Sequence, residues 1–236
     1  MMPYMIDVKY MLYVGLPVLA LTLLVQFLLK AVYAKYSRIG TRGGLTGAET
    51  AQRILEMADI HNVQVQEVDG FLTDHYDPLH RVLRLSPANF SGRSIASLGV
   101  AAHEAGHAIQ HAQAYAPLAL RNLAAPLASF GTTFGYIILV IGFAMHLKAL
   151  ALLGFFALCG ILLFQLITLP VEFDASRRAL AILPSSGILT AEENRGAQKV
   201  LGAAALTYVA AMVATLWTIL YWAMRLGLLG GSRRQD

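Results

Sequence analysis

Leu123 to Val171 reads LAAPLASFGTTFGYIILVIGFAM, then HLK, then ALALLGFFALCGILLFQLITLPV. Two uncharged apolar runs, 123–145 and 149–171, are separated only by His146, Leu147 and Lys148. A helix needs about 20 apolar residues to cross the hydrocarbon core of a bilayer. Each run is long enough, and the residues between them suffice only for a tight turn. The stretch predicts a helical hairpin that crosses a membrane and returns. Buried helices of a soluble core are the competing explanation. Two uncharged runs of this length, nearly back to back, argue against it.

Working outward, two more stretches qualify. Residues 11–29 carry no charge, though they include Pro17 and Gln26, and residues 200–224 are equally apolar. The first is long for the apolar region of a signal peptide, and its basic residues follow it, so it is expected to be an anchor. The whole composition agrees. Hydrophobic residues make up 57% of the 236-residue chain and charged residues 14%, against roughly 25% charged in an average soluble protein. The fold class expected is a mainly α membrane protein with about four transmembrane helices. The net charge is +4, and no Arg/Lys run carries interleaved aromatics, so nucleic acid is not an expected partner. Cys159 is the single cysteine. It can form no intramolecular disulfide, and a thiolate metal site is excluded.

One long polar segment, residues 30–121, lies between the first and second spans. Lys30, Lys35, Arg38, Arg42, Gly43 and Gly44 read as a linker. Thr46 and Glu49 fit a capping box, opening a helix to about Asp59 with Ala51, Ile54, Leu55 and Ala58 on one face. Val63, Val65 and Val68 suggest a strand, and Val82, Leu83 and Leu85 a second. Together they predict a short β-hairpin. The connecting loop holds Asp74, His75, Tyr76, Asp77 and His80. A further helix is expected from Ser91–Ser94 to about Tyr115.

That last helix carries His103-Glu104-Ala105-Gly106-His107. Histidines four apart lie on one helical face, one turn apart. Both imidazoles can therefore reach one Zn²⁺ at about 2.0–2.1 Å. Glu104 is placed to take a proton from an attacking water and pass it to the leaving amine. HExxH alone is moderately specific, but the small and apolar neighbours Ala101, Ala102, Ala105 and Ala108 allow close packing behind the site.

A catalytic zinc site has three protein ligands and one open position. His111 continues the stripe, but three successive turns spread their outer residues about 12 Å along the axis. It is expected to play a supporting or structural part. Glu172, directly after the third span, is the better third ligand. Two spans separate it from His107, so the chain returns to the same membrane face. The competing role for Glu172 is a solvated carboxylate pairing with Arg177 or Arg178. Asp174, on another helix face, is the reserve ligand.

HEAGHAIQHA, the upstream LTDHYDP and the downstream LPVEFDASRRAL together resemble the YugP-like membrane neutral zinc metallopeptidases, from about Gly70 to Leu201. The resemblance implies a bacterial multi-pass membrane peptidase with one zinc per chain. It implies His103, His107 and Glu172 as ligands and Glu104 as the catalytic residue. More distantly, the chain is similar to HtpX and CAAX-prenyl-peptidase type enzymes. In those, an aspartate four residues after the ligand glutamate supports a histidine; here that position is Ser176.

The expectation is one integral-membrane peptidase domain over residues 1–236. It comprises spans at 11–29, 123–145, 149–171 and 200–224, a catalytic α+β zincin-like portion at 30–121, and a third-ligand segment at 172–199. His75 or Tyr76 is a candidate donor to a developing oxyanion. Val82–Leu85, if an edge strand, would align an extended peptide. Lys30, Lys35, Arg38, Arg42, Arg177, Arg178, Arg195 and Lys199 place the active site on the cytoplasmic face, whereas Arg225, Arg233 and Arg234 argue the other way. The expected partners are a peptide or protein substrate, membrane-associated or unfolded, and the lipid bilayer. A membrane scaffold with a structural metal and a zinc amidase acting on a small molecule are the competing functions.

Overall fold

The computed structural model describes residues 8–229; the expectation for Arg233 and Arg234 lies outside them. Four helices are long and apolar enough to cross a membrane: α1 (Val8–Tyr36), α5 (Ala116–Ala144), α6 (Lys148–Ser185) and α7 (Ala191–Arg225). Between α1 and α5 lie α2 (Gly47–Met57), β1 (Gln64–Glu67), β2 (His75–Asp77), β3 (Val82–Leu85), α3 (Pro87–Phe90) and α4 (Ile95–Ala112). All four long helices leave large apolar side chains uncovered, among them Leu23, Phe27, Leu127, Phe156, Leu163 and Leu216. Such contiguous apolar surface is costly in water and ordinary in hydrocarbon.

The helices are longer than their apolar runs. The 38 residues of α6 span about 57 Å at 1.5 Å per residue, against roughly 30 Å of hydrocarbon. Glu172, which directly follows the apolar run, therefore lies within a continuous helix. Pro170 does not terminate that helix.

The chain forms two compact units. One contains residues 8–25, Leu120–Thr168 and 208–229. Its core includes Val14, Leu139, Phe155, Leu158, Ile219, Tyr221 and Trp222. Here α5 and α6 form the hairpin, turning at His146 with φ +56°. Glycines bring their backbones together: a Cβ on Gly154 would stand 2.3 Å from Leu139 N, and one on Gly142 2.3 Å from Ala151 N. Small residues at helix contacts are how membrane helices gain packing where lipid offers no hydrophobic drive.

The other unit contains Gln26–Ala119 and Leu169–Thr207. At α2 the capping box forms: Glu49 N donates to Thr46 Oγ1 at 3.1 Å and Thr46 N to Glu49 Oε2 at 2.7 Å. Ala51, Ile54 and Leu55 are buried. The strands form one sheet in the order β1-β3-β2. β1 pairs with β3 in parallel, and β2 with β3 antiparallel. Three expectations are thereby corrected. His75–Asp77 is a strand rather than loop, and the hairpin is β2–β3. Val82–Leu85 is the central strand, so it presents no free edge to a peptide. Val82, Leu83 and Leu85 are all buried, as a central strand requires.

Helix α4 is the middle of this unit. Ser94 caps it, accepting from Ser97 N at 3.1 Å, and most of its residues are buried on every side. Its alanines and glycines are the consequence. A Cβ at Gly106 would meet the Ala175 carbonyl of α6 at 2.7 Å, and one at Gly99 would meet Ala197 of α7 at 3.3 Å.

Candidate metal centre

Three elements set the site. The 3.6-residue period of α4 puts His103 and His107 on one face, with ring centroids 4.8 Å apart and planes at 83°. Gly106 lets α6 approach α4 within backbone contact at Ala175. That approach carries Glu172, one turn before Ala175, against both imidazoles. Glu172 Oε2 lies 3.3 Å from His103 Nε2 and 3.6 Å from His107 Nε2. One ligand atom from each of the three residues lies within 4.8 Å of the other two.

The donor set fits zinc. Ligands at about 2.0–2.1 Å in a tetrahedron stand about 3.3 Å from one another, and the two Nε2–Oε2 separations are close to that. Two imidazoles with one carboxylate is a catalytic donor set that leaves a fourth position open. In the metal-free chain, burial disfavours the charged form of His107. The carboxylates of Glu172 and Glu104 outweigh it and raise the imidazole pKa. A cation at this point replaces a proton.

Both histidines are held from behind. Ser176 Oγ lies 3.0 Å from His103 Nδ1. His107 Nδ1 lies 3.0 Å from Gln110 Oε1, and Gln110 Nε2 donates to Asp174 Oδ2 at 3.0 Å. Asp174 also pairs with Arg177 and Arg178. The ion pairs expected as the competing role of Glu172 are thus made by Asp174. Among the described residues, Asp174 is not in the three-residue cluster. Gln110 was missed from sequence. Its signal was a lone amide on a small, apolar helix face, three residues after a candidate ligand.

Glu104 is buried, with 8% of its surface exposed. It lies about 100° around α4 from His103, beside the ligand face. Tyr76 and His111 meet: the tyrosine hydroxyl is 2.8 Å from His111 Nδ1. Burial raises the Tyr76 pKa, which keeps the hydroxyl protonated. His75 is exposed, with Nδ1 2.8 Å from the Thr73 carbonyl and Nε2 3.3 Å from Arg84. Asp74 is structural. It accepts from Ser86 N and Asn89 Nδ2, both at 2.8 Å, and Asn89 accepts from the Tyr33 hydroxyl at 2.7 Å. Asp77 accepts from His80 and Arg84, and these donors hold its carboxyl well below the usual range.

No solved structure matches the chain. A curated relative does: the "Putative membrane protease YugP" of Bacillus subtilis (strain 168) is 44% identical over 206 residues, covering 87% of this chain and 92% of that protein. A family model described as "Putative neutral zinc metallopeptidase" matches residues 10–227. That match takes in the four long helices and the His103–His107–Glu172 cluster alike, so this chain is a member of the neutral zinc metallopeptidase family, with zinc as its implied metal and the membrane as its place.

Proposed function

We propose that the protein is a membrane-embedded zinc endopeptidase in which His103, His107 and Glu172 hold the metal and Glu104 is the general base. The observation that carries this is the convergence of both imidazole Nε2 atoms on one oxygen of Glu172. Bound zinc supplies Lewis acidity, which polarises a scissile carbonyl and lowers the pKa of water. Glu104 takes a proton from the attacking water on its carboxylate and delivers it to the departing amine nitrogen. Of the two candidates, Tyr76 has the more available donor for an oxyanion. Its hydroxyl can accept the His111 Nδ1 proton and keep its own proton for the substrate, whereas His75 already uses both ring nitrogens in the strand region.

The substrates proposed are membrane-associated or unfolded polypeptides, because the chain that carries the site also has four helices long and apolar enough to cross a membrane. The basic residues after α1 and in the second half of α6 favour the cytoplasmic face. The test is the zinc-to-protein ratio of detergent-purified wild type and Glu172→Ala. One zinc per wild-type chain and far less in the variant is expected. An unfolded-protein substrate is then assayed with Glu104→Gln as control. No zinc in wild type after titration would overturn the proposal, and so would full activity in Glu104→Gln.

A further inference from the structure

Gln110 is completely buried, and both ends of its amide are engaged. Nε2 donates to the Val171 carbonyl at 2.8 Å and to Asp174 Oδ2 at 3.0 Å. A carbonyl and a carboxylate only accept, so the amide cannot be turned around. A flip would set its oxygen against both. Its Oε1 is therefore the atom 3.0 Å from His107 Nδ1. An amide oxygen also only accepts, so the proton must sit on Nδ1 of His107. With Nδ1 carrying its proton, Nε2, the nitrogen that faces Glu172, is the one left to ligate a metal.

We infer that Gln110 is a positioning residue: it links Asp174 to His107 and selects the imidazole tautomer that ligates zinc. This rests on the metal site proposed above. Arg177 and Arg178 anchor the far end of the chain by pairing with Asp174. The Asp174 charge polarises the amide and strengthens Oε1 as an acceptor.

A carboxylate, a backbone carbonyl or a water commonly accepts the second ring proton of a histidine ligand. At His107, Glu172 and Glu104 already supply negative charge. A neutral amide transmits orientation without adding a third carboxylate. His103 is held differently. A serine hydroxyl can donate or accept by rotating, so Ser176 imposes no tautomer on it. The two histidines are thus unequal: His107 is preset, and His103 adjusts to the metal.

The experiment uses the full chain in detergent. Zinc affinity is measured by competition with a chromophoric chelator for wild type, Glu172→Ala, Gln110→Leu, Asp174→Asn and the Gln110→Leu/Asp174→Asn pair. Histidine ¹⁵N spectra of the metal-free proteins, recorded at alkaline pH where the imidazoles are neutral, report which ring nitrogen is protonated. Gln110→Leu is expected to weaken zinc binding by about 10–100-fold and to remove the preference for Nδ1–H at His107 alone. The double variant should bind no more weakly than Gln110→Leu, because Asp174 acts through the amide. Gln110→Met, close in length and volume, replaces leucine if that variant does not fold. Wild-type affinity and unchanged His107 signals in Gln110→Leu would overturn the inference while leaving the metal site standing. Additive losses in the double variant would also overturn it. Zinc uptake by Glu172→Ala equal to wild type would instead overturn the metal-site reading, and the metal-free spectra would still judge the tautomer separately.

Discussion

In the proposed mechanism Glu104 serves the chemistry and the three clustered residues hold the metal, and single substitutions separate the two. Glu104→Gln keeps the size of the side chain and removes the base. It should retain zinc while lowering kcat by about 10²–10⁴-fold, measured by metal analysis beside a peptidase assay. Tyr76→Phe should also retain zinc and lower kcat by about 10²-fold, if its hydroxyl meets the developing oxyanion. Protons compete with zinc at His107, whose pKa is raised above the ordinary 6.5. A group with a raised pKa favours the metal-free fold below its unfolded value and loses that contribution as pH rises through the folded one. Zinc affinity should therefore hold at alkaline pH and fall as pH drops through the raised value, releasing protons on binding. Calorimetry in buffers of different ionisation enthalpy measures that release. That His103 and His107 share a face was legible from spacing, and that Glu172 comes to them was legible from counting spans. Gln110 and Ser176 were not, because their roles arise only where α6 meets α4, far apart in sequence.

At the scale of elements, the contact between α4 and α6 decides whether a site exists. Gly106→Ala would bring a Cβ within 2.7 Å of the Ala175 carbonyl, and backbone on both sides cannot yield cheaply. Overpacking of this kind costs about 1–3 kcal/mol. It should also weaken zinc binding, since the same approach delivers Glu172. Thermal unfolding and chelator competition on the one variant read both effects. Losing the Thr46 cap offers the contrast. Thr46→Ala should cost about 1 kcal/mol and leave zinc affinity unchanged, because α2 contributes no ligand. The capped helices α2 and α4 were legible because their signals are local: Thr46 with Glu49, and a serine before an alanine-rich run. The sheet was less so. His75–Asp77 is three polar-leaning residues with no alternating apolar pattern, and its strand state comes from pairing with β3. The central place of β3 likewise depends on β1 reaching it in parallel, which no local pattern encodes. Its fully apolar Val82, Leu83 and Leu85 were the available hint, since a strand buried on both faces does not alternate.

For the whole molecule, the number of crossings fixes which segments can share a membrane face. If each of the four long apolar helices crosses the membrane once, residues 37–115 and 186–190 are expected on one face and residues 145–147 on the other. That parity is required if Glu172, near the end of one crossing, is to complete a site begun on α4. The proposed cytoplasmic placement of that face rests on positive charge: Lys35, Arg38 and Arg42 precede α2, and Arg177 and Arg178 lie in the part of α6 beyond the apolar run, whereas Arg225 argues the other way. The prediction is testable with cysteines in a Cys159→Ala background. Gln66 and Leu147 are exposed and lie on elements with opposite expected sides. With a membrane-impermeant maleimide added to intact cells, Leu147→Cys should label and Gln66→Cys should not. Ser186→Cys should follow Gln66→Cys. Permeabilising the cells should expose all three positions. Labelling of Gln66→Cys and Ser186→Cys alone would invert the orientation while keeping the parity that the metal centre needs. Opposite behaviour of those two would break that parity, and Glu172 could then no longer serve a site that begins at His103.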